Sequence, residues 1–292
     1  MSEKTLVRRP YVAGQFYPQD RQELDQMLAR LVAAAGSAPA TGGQPPWAVI
    51  LPHAGYIYSA AVAINAMLPL RNRHYRRVVV IAPSHRYPFN GLALSDFTAY
   101  ETPLGKIQVD TAAVQQLRTA DSPLISVNND AHQYEHALEV ELPLLQKLMM
   151  AEFQLLPLIC GDLSLDQAES LVPLLQPLHG PETLWVISSD FTHYGRSFQY
   201  LPFRDNVAMN LDRLDHAAAD IITGLDDRGW ERFIEETGAT ICGANPIKLL
   251  LALARAIEPG TKVVLRDYNT SGALTGDYSH CVSYAGFCFF RS

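Results

Sequence analysis

Three histidines in this sequence stand just beyond apolar runs. His53 ends Ala48-Val-Ile-Leu-Pro-His53, His85 ends Val78-Val-Val-Ile-Ala-Pro-Ser-His85, and His193 closes Trp185-Val-Ile-Ser-Ser-Asp190-Phe-Thr-His193. Imidazoles bind borderline transition metals and move protons near neutral pH. Taken singly, a histidine after a strand is more often a satisfied structural residue than a ligand, but three in one context point to a shared site. A thiol joins them in Thr240-Ile-Cys-Gly-Ala-Asn245-Pro246. There Asn245 is a good N-cap and Pro246 a good first helical residue, so a helix N-terminus is expected close by, favouring thiolate at Cys242. The other reading of Cys242 is an inert buried thiol, the description that better suits Cys160, Cys281 and Cys288 in or beside apolar strands.

His53, His85 and Cys242 are therefore the candidate ligands of one transition-metal ion, with His193 beside it as the acid/base group. Asp190 stands three residues before His193, close enough to orient its imidazole, although an Asp there could simply cap the following turn. Gly55, between His53 and Tyr56, permits close backbone approach, and Ser84 immediately precedes His85. The segment Glu135-His136-Ala-Leu-Glu139 opens a helix and puts His136 and Glu139 on one face, a spacing found in carboxylate metal sites and in ordinary solvated helices alike.

These residues need a scaffold, and the pattern around them supplies one. Short apolar runs rich in β-branched residues (47–51, 78–82, 153–159, 184–187 and 262–265) alternate with helix-like segments. The helical stretches are 19–35, 59–68, 111–117, 135–149 with Pro143 as an expected kink, 165–175, 204–222 and 246–257. Such alternation predicts an α/β fold: a single domain with a mostly parallel central sheet flanked by helices. In open α/β sheets ligands bind beyond the carboxyl ends of the strands, where the three histidines fall. The Gly- and Pro-rich stretch 36–46 reads as a loop, and no linker divides the chain into two cores.

Bulk composition narrows the function. The 292 residues include 48% hydrophobic and 18% charged ones, the balance of a soluble folded chain. With 23 basic against 30 acidic residues the net charge is -7, which offers no field for nucleic acid or an anionic membrane. No apolar run approaches the ~20 residues of a membrane helix, and Met1 to Lys4 open no apolar signal segment, so a cytoplasmic location is expected. The four cysteines form no CxxC pair, and neither a GxGxxG or GxxxxGK[ST] phosphate cradle nor a GxSxG elbow occurs.

Six motifs in order, Val12-Ala-Gly-Gln-Phe-Tyr17, Pro52-His-Ala-Gly-Tyr56, Pro83-Ser-His85, Glu135-His136-Ala-Leu-Glu139, Ser188-Ser-Asp-Phe-Thr-His193 and Thr240-Ile-Cys-Gly243, resemble the Memo family and span nearly the whole chain. That family is similar to class III extradiol dioxygenases, which use non-haem Fe(II) on an α/β fold. The resemblance places His53, His85 and Cys242 at metal-ligand positions, Asp190 and His193 in the pocket, and Phe16, Tyr56, Ser84, His136 and Glu139 on its substrate-binding side. Phe16 stands where some relatives carry Trp, and Arg86 where some carry His. The resemblance implies one ion, Fe(II) or copper before zinc, a small molecule or peptide in the pocket, and radical-SAM and AMMECR-type protein partners. Three functions follow: a metal-binding or redox protein, a non-haem Fe(II) extradiol-type dioxygenase, or a zinc-dependent hydrolase. Ring-opening iron sites use two histidines and a carboxylate, so a thiolate in the carboxylate's place moves the balance toward metal binding.

Overall fold

The computed structural model describes residues 6–36, 45–149 and 152–292. Most of the loop expected at 36–46, and the first four residues, lie outside them. Among the described residues the strands are β1 (Val7–Arg8), β2 (Pro46–Leu51), β3 (Arg77–Pro83), β4 (Leu92–Leu94), β5 (Ala99–Thr102), β6 (Gly105–Gln108), β7 (Ile125–Val127), β8 (Gln154–Cys160), β9 (Thr183–Ser188), β10 (His193–Gly195), β11 (Lys262–Thr270) and β12 (His280–Phe290). The helices are α1 (Arg21–Ala35), α2 (Tyr56–Met67), α3 (Thr111–Arg118), α4 (Asn129–Gln133), α5 (His136–Leu148), α6 (Leu165–Leu175), α7 (Val207–Thr223), α8 (Asp227–Thr237), α9 (Ala244–Ile257) and α10 (Ser271–Thr275).

The chain is an α/β protein. Its main sheet runs β10-β12-β2-β9-β3-β8-β4-β7, with β11 paired to β12. The four central strands, β2, β9, β3 and β8, are parallel. Every residue of β2 and β9 is buried, because helices cover both faces: α5 packs on β3 and β9 from a group with α1 and α2, and α9 packs on the same strands from a group with α6 and α8. Outside this centre the pairing of β12 with β2, β10 and β11, and of β4 with β8, is antiparallel. The expected parallel sheet thus holds at its centre and becomes mixed toward the edges, where β12 and β4 pair antiparallel with their inner neighbours while β4 and β7 are again parallel. A separate three-stranded sheet, β1-β5-β6, brings the N-terminal segment to α5.

Two local expectations shift. Pro143 lies inside α5, which continues through it to Leu148. α9 begins two residues before Pro246, with Gly243 rather than Asn245 at its N-cap. The side chain of Asn245 instead donates to the Gly161 carbonyl at 3.2 Å. No helix among the described residues is long and apolar enough to cross a membrane.

Candidate metal centre

The strand ends deliver the histidines. β2 gives out at Leu51, and the backbone N–H groups of His53 and Ala54 both donate to Asp190 Oδ1, at 2.8 and 3.2 Å, fixing the turn that carries His53. β3 ends at Pro83; the Ser84 hydroxyl then donates to the Tyr87 carbonyl at 2.7 Å, and the His85 N–H donates to Glu135 Oε2 at 2.8 Å. His136 opens α5, whose N-cap is Glu135 accepting from the Ala137 N–H. Two strand ends and one helix start thus meet.

The imidazoles of His53, His85 and His136 present ligand atoms that all lie within 4.8 Å of one another. Ring centroids are 5.3, 5.5 and 4.6 Å apart for the pairs His53–His85, His53–His136 and His85–His136. His136, expected on the substrate-binding side, is therefore a member of the cluster. Each ring is held by its Nδ1. His53 Nδ1 is 2.7 Å from Ser188 Oγ, His85 Nδ1 is 2.8 Å from Glu135 Oε1, and His136 Nδ1 is 3.2 Å from the same oxygen. Nδ1 groups tied to oxygen leave three Nε2 atoms for a common point, the arrangement in which an oxygen partner orients a metal-binding imidazole.

The electrostatics suit a cation. Burial, then the neighbouring His85 and His136, push the pKa of His53 well below its ordinary value, so its ring is neutral with a lone pair to give. Glu135 is buried, which by itself would raise its pKa. The hydrogen bonds from His136 and His85 outweigh burial and hold the carboxyl well below the usual range. A carboxylate thus lies directly behind two of the three rings.

Cys242 lies beside this group, its Sγ 3.2 Å from His53 Nε2 and 3.2 Å from the Asp190 N–H that donates to it. Its position is pinned by the next residue. A Cβ on Gly243 would come within 2.3 Å of Ser189 Cβ, so only glycine lets the entrance of α9 press against the end of β9. The expected thiolate is not what the protein alone favours. Burial, then the Asp190 charge, push the Cys242 thiol well above its ordinary pKa and outweigh any pull from the helix start. A bound cation reverses that preference.

His193 Nδ1 sits 2.9 Å from the Phe191 carbonyl and 3.0 Å from that of Thr240. Carbonyls only accept, so Nδ1 carries the proton and Nε2 keeps the lone pair. Burial lowers its pKa, partly offset by those bonds. Asp190 does not orient it. The carboxylate is committed to the backbone of residues 53 and 54, and burial pushes its pKa up to about 7.

Other expectations fall away from the pocket. Glu139 is wholly buried and engaged by the Arg8 guanidinium, by Tyr17 Oη at 2.5 Å, and by the N–H groups of Tyr11 and Val12 at 2.8 and 3.0 Å. It anchors the N-terminal segment and has no capacity left for a substrate. Tyr56 is likewise buried, its hydroxyl donating to the Val140 carbonyl at 2.7 Å. Phe16 does stand at the site, its ring 4.9 Å from that of His136. Ser84, His85 and Cys242 line one cavity of about 300 Å³ together with Arg86 and Asn245. A larger cleft, about 960 Å³ between α1, β6 and the end of α5, contains no histidine or cysteine and is not where the chemistry collects. Sequence reasoning left Glu135, Ser188 and Thr240 without roles. Only Glu135 carried a signal, as the acidic residue directly before His136.

Comparison with known proteins places the chain in a family. The sequence model of a family described as Memo-like protein matches residues 8–288. A MEMO1 family protein of Thermoplasma volcanium is 32% identical over 96% of this chain and 97% of its own. One of Aquifex aeolicus is 31% identical over 97% and 99%, and Protein MEMO1 of Rattus norvegicus is 30% identical over 86% and 85%. Among solved structures, an uncharacterized protein from Escherichia coli K12 superposes with a TM-score of 0.52 at 14% identity, covering 82% of this chain and 98% of that one. This last likeness is one of fold.

Proposed function

We propose that this chain, which belongs to the Memo-like protein family, binds a single transition-metal ion through His53, His85 and His136, with Cys242 as a fourth donor and His193 as the acid/base group of the pocket. The observation that carries this reading is the shared anchoring of the rings, each held at Nδ1 by an oxygen, in a cluster whose ligand atoms all lie within 4.8 Å of one another. Neutral imidazoles and a thiol are donors for iron, copper or zinc, and not for magnesium or calcium, which take oxygen.

Such an ion supplies Lewis-acid or redox chemistry to a small molecule in the adjoining cavity. The chain's own residues do the rest. His193 offers a neutral Nε2 to take or return a proton, Glu135 fixes two of the rings, and Asp190 holds the turn that presents His53. Glu135 is engaged by His85, His136 and backbone N–H groups, and Asp190 Oδ1 by the backbone of residues 53 and 54, so the donor set proposed is nitrogen and sulfur. That favours a metal-binding or redox protein over an extradiol-type dioxygenase, for which the neutral His193 is the one specific point in favour.

Elemental analysis of protein purified without chelators is expected to give one iron, copper or zinc per chain. His53→Ala and His136→Ala should each lose it. Cys242→Ser should keep the ion at lower affinity and lose the sulfur-to-metal absorption of the cobalt(II)-substituted protein. Full retention in His136→Ala together with loss in Cys242→Ser would replace this ligand set by His53, His85 and Cys242. Oxygen uptake by Fe(II)-loaded protein across a panel of catechols decides the dioxygenase reading.

A further inference from the structure

The metal centre leaves one buried acid without a task. Glu141 lies in α5 beyond His136 and is wholly buried. Its Oε1 is 2.8 Å from Ser188 Oγ, while Oε2 has no hydrogen-bond partner. The same Ser188 Oγ is 2.7 Å from the Ala137 carbonyl and 2.7 Å from His53 Nδ1. One hydroxyl therefore meets three polar partners around the foot of His53.

Proton counting decides how they share it. Ser188 has one proton and two lone pairs. The Ala137 carbonyl can only accept, so it takes the hydroxyl proton, and the remaining two partners must donate to Oγ. His53 Nδ1 then carries a hydrogen. Glu141 then carries one too, on Oε1. With Glu141 ionised the carboxylate and the carbonyl would compete for one proton, and a charged Oε2 would face an apolar interior unpaired, which is the least favourable state for a buried polar group. Burial, with the nearby Asp190 charge, pushes the Glu141 pKa well up in the same direction.

We propose that Ser188, backed by Glu141 as an uncharged acid, is the positioning residue of His53, holding its ring as the Nδ1–H tautomer so that Nε2 faces Cys242 and the other two imidazoles. With the serine's only proton donated to the Ala137 carbonyl, none is given to His53. This fixes a tautomer that Glu135 fixes for the other two rings. The proposal rests on the metal reading for its consequence, and not for the tautomer itself.

Two measurements separate the two ideas. In metal-free protein labelled with ¹⁵N-histidine, His53 should show a protonated Nδ1 and a bare Nε2. Ser188→Ala should convert it to a mixture of tautomers while His85 and His136 are unchanged. Glu141→Gln, whose amide still donates to the serine, should keep the native tautomer and abolish the infrared carbonyl band of a protonated carboxyl. In the second measurement, titration with Zn(II) and Co(II) alone, Ser188→Ala should weaken binding about 10- to 100-fold, as loss of a ligand's hydrogen-bond partner does, and Glu141→Gln by less than about 3-fold. Glu141→Leu, which leaves the hydroxyl in place with the Ala137 carbonyl still taking its proton, should keep the native tautomer and bind more tightly than Ser188→Ala. A native His53 bearing its proton on Nε2, an unshifted His53 in a folded Ser188→Ala, or the absence of a band sensitive to Glu141→Gln would overturn the proposal, and the first and third of these need only the native protein and Glu141→Gln. Failure of the native protein to bind either ion would remove the metal reading and leave the tautomer result standing.

Discussion

Glu135 and Glu139 sit one turn apart at the start of α5, both buried, and do opposite work. Glu135 receives hydrogen bonds from His85, His136 and backbone, groups that carry no permanent charge. Glu139 receives a guanidinium, a phenol and two backbone N–H groups. The first carboxylate has no permanently charged partner within the fold, and a cation held by the rings would complement it. The second is neutralised within the fold. Partner chemistry, and not burial or helix position, separates a site residue from a clamp. Arg8 ties the two, since it pairs with Glu139 and also donates to the carbonyls of Glu135 and His132, at 2.8 and 3.2 Å.

The comparison can be broken most forcefully at the clamp. Glu139→Ala leaves the Arg8 charge buried without its partner and should cost about 3–5 kcal/mol of folding stability, measured by denaturant unfolding of the metal-free protein. Ion content of the fraction that folds should stay at the native value. If stability holds and the ion is lost, the two roles have been assigned to the wrong residues.

Next in size is the pH response beside the clamp. His132 is buried against the Ala93 carbonyl and Tyr100 Oη, and burial lowers its pKa to about 4. A depressed folded pKa means that the unfolded chain binds the proton first. Stability is whole above the unfolded value of about 6.5 and falls as pH drops from there toward about 4. The loss reaches about 3 kcal/mol at the bottom of that window. His132→Gln should flatten this part of the stability profile, and an unchanged slope would assign the titration elsewhere.

At the site the expected effect is on binding. Glu135→Gln removes the charge behind His85 and His136, and should weaken Zn(II) affinity about 10- to 100-fold, while folding stability changes by about 1 kcal/mol, the scale of an altered helix cap. A variant that binds as tightly as native protein would make Glu135 a second clamp.

The same contrast explains what the sequence disclosed. The continuous apolar runs into His53 and His85 are local signals, and both strands and their terminal imidazoles follow from them. Membership of His136 in the cluster depends on where α5 docks against β3 and β9, which no local pattern records. Asp190 stands three residues from His193, yet its carboxylate binds the backbone of His53, across the sheet between strands distant in sequence. Neighbourhood in the chain suggested the wrong imidazole. Glu139 looked like a site residue because it shares a helical face with its neighbours, and only the docking of Arg8 shows its charge already met. The strands β4 to β7 are three or four residues long, too short for an alternating pattern to stand out.

The smallest effect is expected where the two regions touch. Phe16 belongs to the segment anchored by Glu139, through Val12 and Tyr17, yet its ring packs against His136 at 4.9 Å and its carbonyl accepts from the Tyr56 N–H at 2.8 Å. Phe16→Leu keeps the backbone bond and most of the apolar contact, removing the aromatic edge against the imidazole, a contact worth about 0.5–1.5 kcal/mol. Were the clamp and the metal centre energetically separate, that loss would appear in unfolding alone and Zn(II) affinity would not move. Since the ring lies against one of the three clustered imidazoles, a shift of a few-fold in affinity is expected, with no change in ion number. In Phe16→Leu combined with Glu135→Gln, the two affinity losses should add to less than their sum, because Glu135 and Phe16 restrain the same imidazole from two sides. Strict additivity would show that the N-terminal segment merely covers the pocket.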